Sequence, residues 1–317
     1  MTKLLRLLAL IAGVGIFLIA WLWWGPGPLK RPISVTIPEG STLAQTAEGL
    51  GYSNSVGPEW YYLARILGGK AHIQAGEFRI PAHASGASVL YLLQHGKPLL
   101  RLVTVTEGMP SIIVEEKLTA SPYLSGPTPT IPEGSVLPDS YGFERGDSRA
   151  ALVRQMQAAM TKTIAQLWPK RSMDCPLATP EQAITLASIV EKETAKSAER
   201  PVVAGVYCNR LKIGMKLDAD PTVIYPVTKG KPLGRRITKS ELHASNDYNT
   251  YERPGLPAGP IANPGKASIE AVLHPAQTKA LYFVADGTGG HVFAETLAEQ
   301  NANVAKWYAL RRQRGQM

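Results

Sequence analysis

The chain opens on an uninterrupted apolar run. Leu7 to Trp24 reads LLALIAGVGIFLIAWLWW and carries no charge. As a helix rising ~1.5 Å per residue it is about 27 Å long, close to the hydrocarbon thickness of a bilayer. Lys3 and Arg6 precede it, and Trp21, Trp23 and Trp24 close it where aromatic side chains collect at a membrane interface. The exit, Trp-Trp-Gly-Pro-Gly-Pro, lacks the small-x-small pattern of a cleaved signal. This pattern predicts an uncleaved single-pass anchor over residues 7–24, with the N-terminus in the cytoplasm and the rest of the chain outside it.

After the turn-rich linker Gly25–Pro28 the periodicity changes. Ile33–Ile37 alternates as a strand, and Ser41 or Thr42 can cap a helix over Leu43–Leu50. Trp60–Leu67 reads as a helix and Gly76–Ile80 as a strand. Ser88–Gln94 reads as a helix closed by Gly96. The segment VTIPEGSTLAQTAEGL at 35–50 lines up with VTVTEGMPSIIVEEKL at 103–118, sharing Val-Thr-x-x-Glu-Gly before a short helix. The repeat predicts two strand–turn–helix units. The first part resembles a LysM-like α+β module, a type that binds wall glycans in other proteins. A Pro/Gly/Ser/Thr-rich loop spans 127–138, a helix runs from about Arg149 to Trp168, and a loop continues to Pro180. Toward the end, Leu281–Asp286 and His291–Ala294 flank a Gly-rich hairpin turn. Thr296 and Glu299 form a capping box for a last helix rich in Arg at its end. The expected class is α+β: anchor at 1–25, LysM-like module at 26–100, and a larger α+β catalytic domain at 101–317 that includes the second strand–helix unit at 103–118.

The helix from Thr179 carries the most chemistry. Thr179 suits the N-cap, Pro180 the first turn, and Gln182 a capping box. At about 100° per residue, Ala183, Ile184, Ala187 and Val190 form an apolar stripe with Glu191 on its flank. An acid there is desolvated, which raises a carboxyl pKa toward the range a general acid needs. Glu193, two positions on, points about 160° away. The two acids therefore cannot form a dyad in one cleft, and Glu191 is the catalytic candidate.

Composition narrows the setting. The chain of 317 residues has 44% hydrophobic and 19% charged residues and a formal net charge of +9. These are globular values, and the basic balance suits an acidic polymer or membrane surface as well as mere solubility. No nucleic-acid module is legible, so no nucleic-acid partner is expected. Cys175 and Cys208 are too few for a disulfide framework and have no metal-ligand spacing; whether they pair is left open. His274, His291 and Asp286 likewise lack ligand spacing, so neither metal nor cofactor is expected.

Leu186-Ala-Ser-Ile-Val-Glu-Lys-Glu-Thr194, Asn209–Leu217 and Asp220-Pro-Thr-Val-Ile-Tyr225 closely resemble the MltG (YceG-like) endolytic murein transglycosylases. So do Tyr248-Asn-Thr-Tyr251, Gly255–Gly265, His274-Pro275 and Leu281–Gly287. The resemblance extends over essentially the whole chain, and departs from the family at Asp218 and Pro226. It implies that Glu191 is the acid/base of a carbon–oxygen lyase that cuts the MurNAc–GlcNAc β-1,4 bond of peptidoglycan strands and leaves a 1,6-anhydro end. It also implies a cell inner membrane location with the enzyme in the periplasm, and wall-synthesis proteins as partners. Tyr248, Asn249, Tyr251, Asp220 and Glu193 are the expected substrate-binding residues. Asp220 suits a helix cap, a sugar contact, or a second carboxylate. Two other functions fit the residues: a non-catalytic wall-binding scaffold, and a glycan hydrolase pairing Glu191 with Asp220.

Overall fold

The computed structural model describes residues 2–69 and 71–315. The apolar opening forms helix α1 (Thr2–Trp24). Lys3–Trp24 is the one stretch among the described residues long and apolar enough to cross a membrane, which fits a single-pass anchor. The chain divides into two units, Met1–Arg101 with Gly142–Gly146, and Leu102–Tyr141 with Asp147–Met317.

In the first unit, β1 (Ile33–Ile37) is followed by α2 (Leu43–Tyr52), α3 (Trp60–Leu67), β2 (Gly76–Ile80) and α4 (Gly86–His95). β1 and β2 are antiparallel, from Ile33 opposite Ile80 to Ile37 opposite Gly76. Thr42, not Ser41, caps α2, in a capping box with Gln45. α4 begins two residues before the expected start because Ser85 accepts the Ser88 N–H. The core gathers Leu50, Phe78, Ile80 and Leu93, all fully buried, around Trp60, whose indole donates to the Gly86 carbonyl. Trp23, the penultimate residue of α1, is 4% exposed and belongs to this core. The Gly25–Pro28 linker is pinned rather than loose: Gly25 N–H donates to Trp21 and Gly27 N–H to His83. Glu77 is buried, which alone would raise its pKa, but Arg101 and Arg145 hold it below the usual carboxylate range.

The second unit starts at Leu102, within β3 (Arg101–Thr104), which leads to α5 (Ser111–Ala120) through a turn whose Gly108 has φ +72°. Gly40 takes the same left-handed conformation (φ +74°) in the first copy of the repeat, so both Glu-Gly turns need glycine for the same backbone reason. β4 (Ser140–Phe143) pairs with β3. α6 (Arg149–Leu167) ends in a 3-10 turn at Trp168–Lys170. The centre is made by α7 (Pro180–Glu193), α8 (Arg200–Lys212) and, after α9 (Asp220–Thr228) and α10 (Lys239–Leu242), α11 (Lys266–Leu273). Leu186, Ile189 and Val190 of α7 pack with Val203 and Tyr207 of α8 and Ile269 and Val272 of α11. Each such buried aliphatic contributes roughly 1.5–3 kcal/mol. Cys175 and Cys208 are joined as a disulfide, which ties the loop before α7 to α8. β5 (Tyr282–Ala285) and β6 (His291–Ala294) form the expected hairpin, and α12 (Leu297–Gln313) closes the unit from the Thr296–Glu299 capping box.

Candidate active site

Helix α7 differs from the amphipathic helix its sequence suggests. Thr179 caps it through the Gln182 N–H and Pro180 opens it, as read from the pattern. Gln182, however, reaches back to the Ala178 N–H rather than completing a capping box on Thr179. Instead of a stripe of Ala183, Ile184, Ala187 and Val190, burial covers Ala183 and Thr185 through Val190, and Ile184 is only partly covered. The helix runs through the middle of the unit, and its polar members are satisfied internally: Ser188 Oγ donates to Thr185 O and accepts from the Ile261 N–H. The last turn therefore emerges from the core already oriented, with Glu191 on it.

The Glu191 side chain is 4% exposed. Its Oε2 accepts the backbone N–H of Gly265 at 2.8 Å, and its Oε1 accepts Arg200 Nη2 at 2.9 Å. The same Arg200 nitrogen donates to Glu107 Oε2, also at 2.9 Å. One guanidinium nitrogen thus bridges two carboxylates. Gly265 is the N-cap residue of α11, so the helix N-terminus also faces Glu191. Glu107 lies directly against the Gly265 α-carbon, where a β-carbon would overlap its carboxylate. The Glu107 turn is tied down by Gly108 N–H to Asn263 O and by the return bond from Asn263 N–H to Met109 O. The Asn263 side chain, fully buried, adds bonds to the Val136 N–H and the Met109 carbonyl. Around these groups a cavity of about 590 Å³ is lined by Glu107, Asp139, Ser140, Glu191, Thr194 and Arg200 among others. It holds a buried carboxyl, a partly exposed one and a cation, a set suited to moving a proton at a polar substrate.

The other residues singled out from the sequence assemble elsewhere in the unit. Burial pushes the Glu193 carboxyl up to about 7, and nearby Asp220 adds to this, while a hydrogen bond from Tyr207 and the charge of Arg210 oppose it. Tyr251 OH donates to Asp220 Oδ1 at 2.6 Å. Glu193, Asp220 and Tyr251 are therefore neighbours of one another and not of the Glu191 cavity, whose lining includes none of them. Glu191 and Glu193, two residues apart, serve different surroundings.

Asn249 is 1% exposed, its amide nitrogen donates to the Leu242 and Ala244 carbonyls, and its oxygen accepts the Tyr251 N–H, so most of its polar capacity is spent inside the protein. It holds the 242–251 loop together. Tyr248 packs its ring against Tyr225, centroids 4.9 Å apart, and lines a smaller pocket of about 190 Å³ together with Asn249, Arg253 and Leu256 among others. Asp220 stands in the first turn of α9 and does not face Glu191 as a second carboxylate; Glu107 occupies that position. His291 is engaged with Glu199 and Asp286 with Thr288.

The sequence pattern does not single out Glu107 or Arg200. Arg200 reads as an ordinary first-turn residue, and only the approach of α8 to the end of α7 makes it a partner. Glu107 had one available signal: it sits in the repeated Glu-Gly turn, where the glycine fixes the backbone and so aims the acid.

An endolytic murein transglycosylase of Bacillus subtilis (strain 168) is 37% identical over 175 residues, covering 55% of this chain and 48% of that protein. An endolytic murein transglycosylase of Streptococcus pneumoniae serotype 2 is 27% identical over 328 aligned positions, covering 87% of this chain and 58% of its own length. The chain thus spans about half the length of these relatives. The crystal structure of a yceG-like protein from Listeria monocytogenes superposes with a TM-score of 0.55 at 24% identity, covering 86% of this chain and 99% of that one, which establishes a shared fold. The model of the YceG-like family matches residues 35–306, nearly the whole chain beyond α1, and the protein belongs to the YceG-like family.

Proposed function

We propose that this protein is an endolytic peptidoglycan lytic transglycosylase with Glu191 as its acid/base. The observation that carries the reading is the buried Glu191 carboxylate, held by Arg200 and the Gly265 N–H at the wall of an open polar cavity. The relatives named endolytic murein transglycosylases supply the substrate class. Protonated Glu191 gives its proton to the glycosidic oxygen, and the C1–O bond breaks with its electron pair on that oxygen. The C6 hydroxyl of the same N-acetylmuramic acid then attacks C1 and returns its proton to Glu191. The product is a 1,6-anhydro end, and the acid is regenerated with no water consumed. Asp220 and Tyr251 offer an exposed hydroxyl–carboxylate pair for a more distant part of the glycan.

The first unit is the glycan-reading module. Its β1–α2–α3–β2 order, with two helices between paired antiparallel strands, supports the LysM-like assignment. α1 anchors the chain in the cell inner membrane with the enzyme in the periplasm. The Cys175–Cys208 disulfide agrees with an oxidising compartment. Wall-synthesis proteins are the expected partners.

The test is digestion of purified peptidoglycan by the full chain in detergent, beside Glu191→Gln, with products read by mass spectrometry. Anhydro-muramyl ends from wild type alone support the reading. Reducing ends would make the protein a hydrolase, and no cleavage would leave a wall-binding scaffold.

A further inference from the structure

Glu191 shares its site with a cation that is itself buried. As a general acid Glu191 must carry a proton, yet Arg200, itself 10% exposed at its side chain, is bonded to it. Protonating Glu191 would leave a buried cation without its counter-charge, a situation that costs several kcal/mol in protein interiors. Glu107 changes that balance. It bonds the same Arg200 nitrogen at the same 2.9 Å and is itself 46% exposed at its side chain, so its own charge remains partly hydrated. With Glu191 ionised, the three groups sum to one negative charge. With one proton on Glu191 they sum to zero, and Arg200 stays paired.

We propose that Glu107 is a positioning residue for the reaction: it retains Arg200 whenever Glu191 carries its proton. When Glu191 releases the proton to the leaving oxygen, Arg200 is already within bonding distance of the new carboxylate. When the C6 hydroxyl returns a proton, Arg200 stays with Glu107. This inference rests on the assignment of Glu191 as acid/base. The other charged groups near Glu191 do not substitute for Glu107. Lys192, on the same helix, reaches toward the Gly108 carbonyl at 3.5 Å and adds positive charge. Asp139 lines the cavity but accepts its neighbour Ser140 N–H at 2.7 Å and has no bond to Arg200 among those described. Lys266, next to Gly265, is turned to Glu270. Gly265 has a structural reason to be glycine here, since a side chain would push the Glu107 carboxylate away.

The experiment is the pH–rate profile of glycan cleavage by the full chain in detergent, for wild type, Glu107→Gln, Glu107→Asp, Arg200→Gln and Glu191→Gln, each checked for folding by thermal melting. The alkaline limb reports loss of the proton from the general acid. Removing a like charge this close displaces such a limb to lower pH by about one unit or more. Glu107→Gln is therefore expected to lose about tenfold in rate above the limb while keeping most of its rate below it. Glu107→Asp restores the limb toward wild type, and Arg200→Gln displaces it to higher pH. A folded Glu107→Gln with the wild-type limb, or with equal loss at every pH, overturns the proposal. If Glu107→Gln does not fold, Arg200→Gln decides: a limb that stays or moves to lower pH overturns it. Activity in Glu191→Gln would instead overturn the assignment of the acid/base itself.

Discussion

The carboxylate of Glu107 rests against the bare α-carbon of Gly265, in space that any side chain at 265 would take. Gly265 has φ −72°, an ordinary value, so the glycine is required for room and not for backbone freedom. Gly265→Ala is therefore expected to fold with a stability change of about 1 kcal/mol or less, because the displaced group is the end of a flexible side chain. Its alkaline limb should be displaced as in Glu107→Gln, with about tenfold less activity above the limb and most of it kept below. Urea melts and pH–rate profiles on one preparation check both halves.

Glu193 gives a stability prediction with a definite sign. Its folded value is raised from 4.5 to about 7, so the folded state holds a proton that the unfolded chain has released between those values. The stability associated with this proton is complete below pH 4.5 and is lost as pH rises through about 7. Glu193→Gln, neutral throughout, should match wild type near pH 4.5 and exceed it at pH 8 by on the order of 3 kcal/mol. A difference that does not change with pH would count against the burial of an ionisable group there.

Asn249 carries a stability prediction of its own. Asn249→Ala leaves the Leu242 and Ala244 carbonyls and the Tyr251 N–H without their partner inside a closed loop. A loss of about 2–3 kcal/mol is expected in chemical denaturation. Tyr251→Phe removes one hydroxyl bond to exposed Asp220 and should cost about 1 kcal/mol or less. If the two variants are equally stable, the role assigned to Asn249 is wrong.

Trp23 makes the end of α1 part of the first unit's core. Trp23→Ala empties a site beside Gly86 in the core that also holds Trp60, and should cost about 3–5 kcal/mol. Differential scanning calorimetry of the full chain in detergent should show a lowered transition. A fragment starting after Trp24 should show the same loss, which is why activity is best measured on the whole chain.

Much of the local architecture is legible in the sequence. β1, α3 and β2 fall on the residues their periodicity marks, because alternation and helical spacing are properties of neighbouring residues. The Thr179–Pro180 start of α7 was legible for the same reason: capping is settled within four residues. The burial of α7 was not, since a helix surrounded on several sides needs no single apolar stripe, and its Thr185 and Ser188 look polar until their internal bonds are seen.

The sequence by itself determined the long apolar opening helix and the α+β order of elements, and it put forward Glu191 as the candidate acid. Each of these follows from spacing along one stretch of chain. Only the tertiary structure decided what surrounds that acid. Arg200 lies nine residues beyond Glu191, Gly265 seventy-four beyond and Glu107 eighty-four before it, and no local pattern relates them. Packing of α7, α8 and α11 and the Glu-Gly turn bring them within hydrogen-bonding distance. The same long-range packing withdrew Asn249 from the surface, because a buried amide must satisfy its bonds from whatever backbone the fold places beside it.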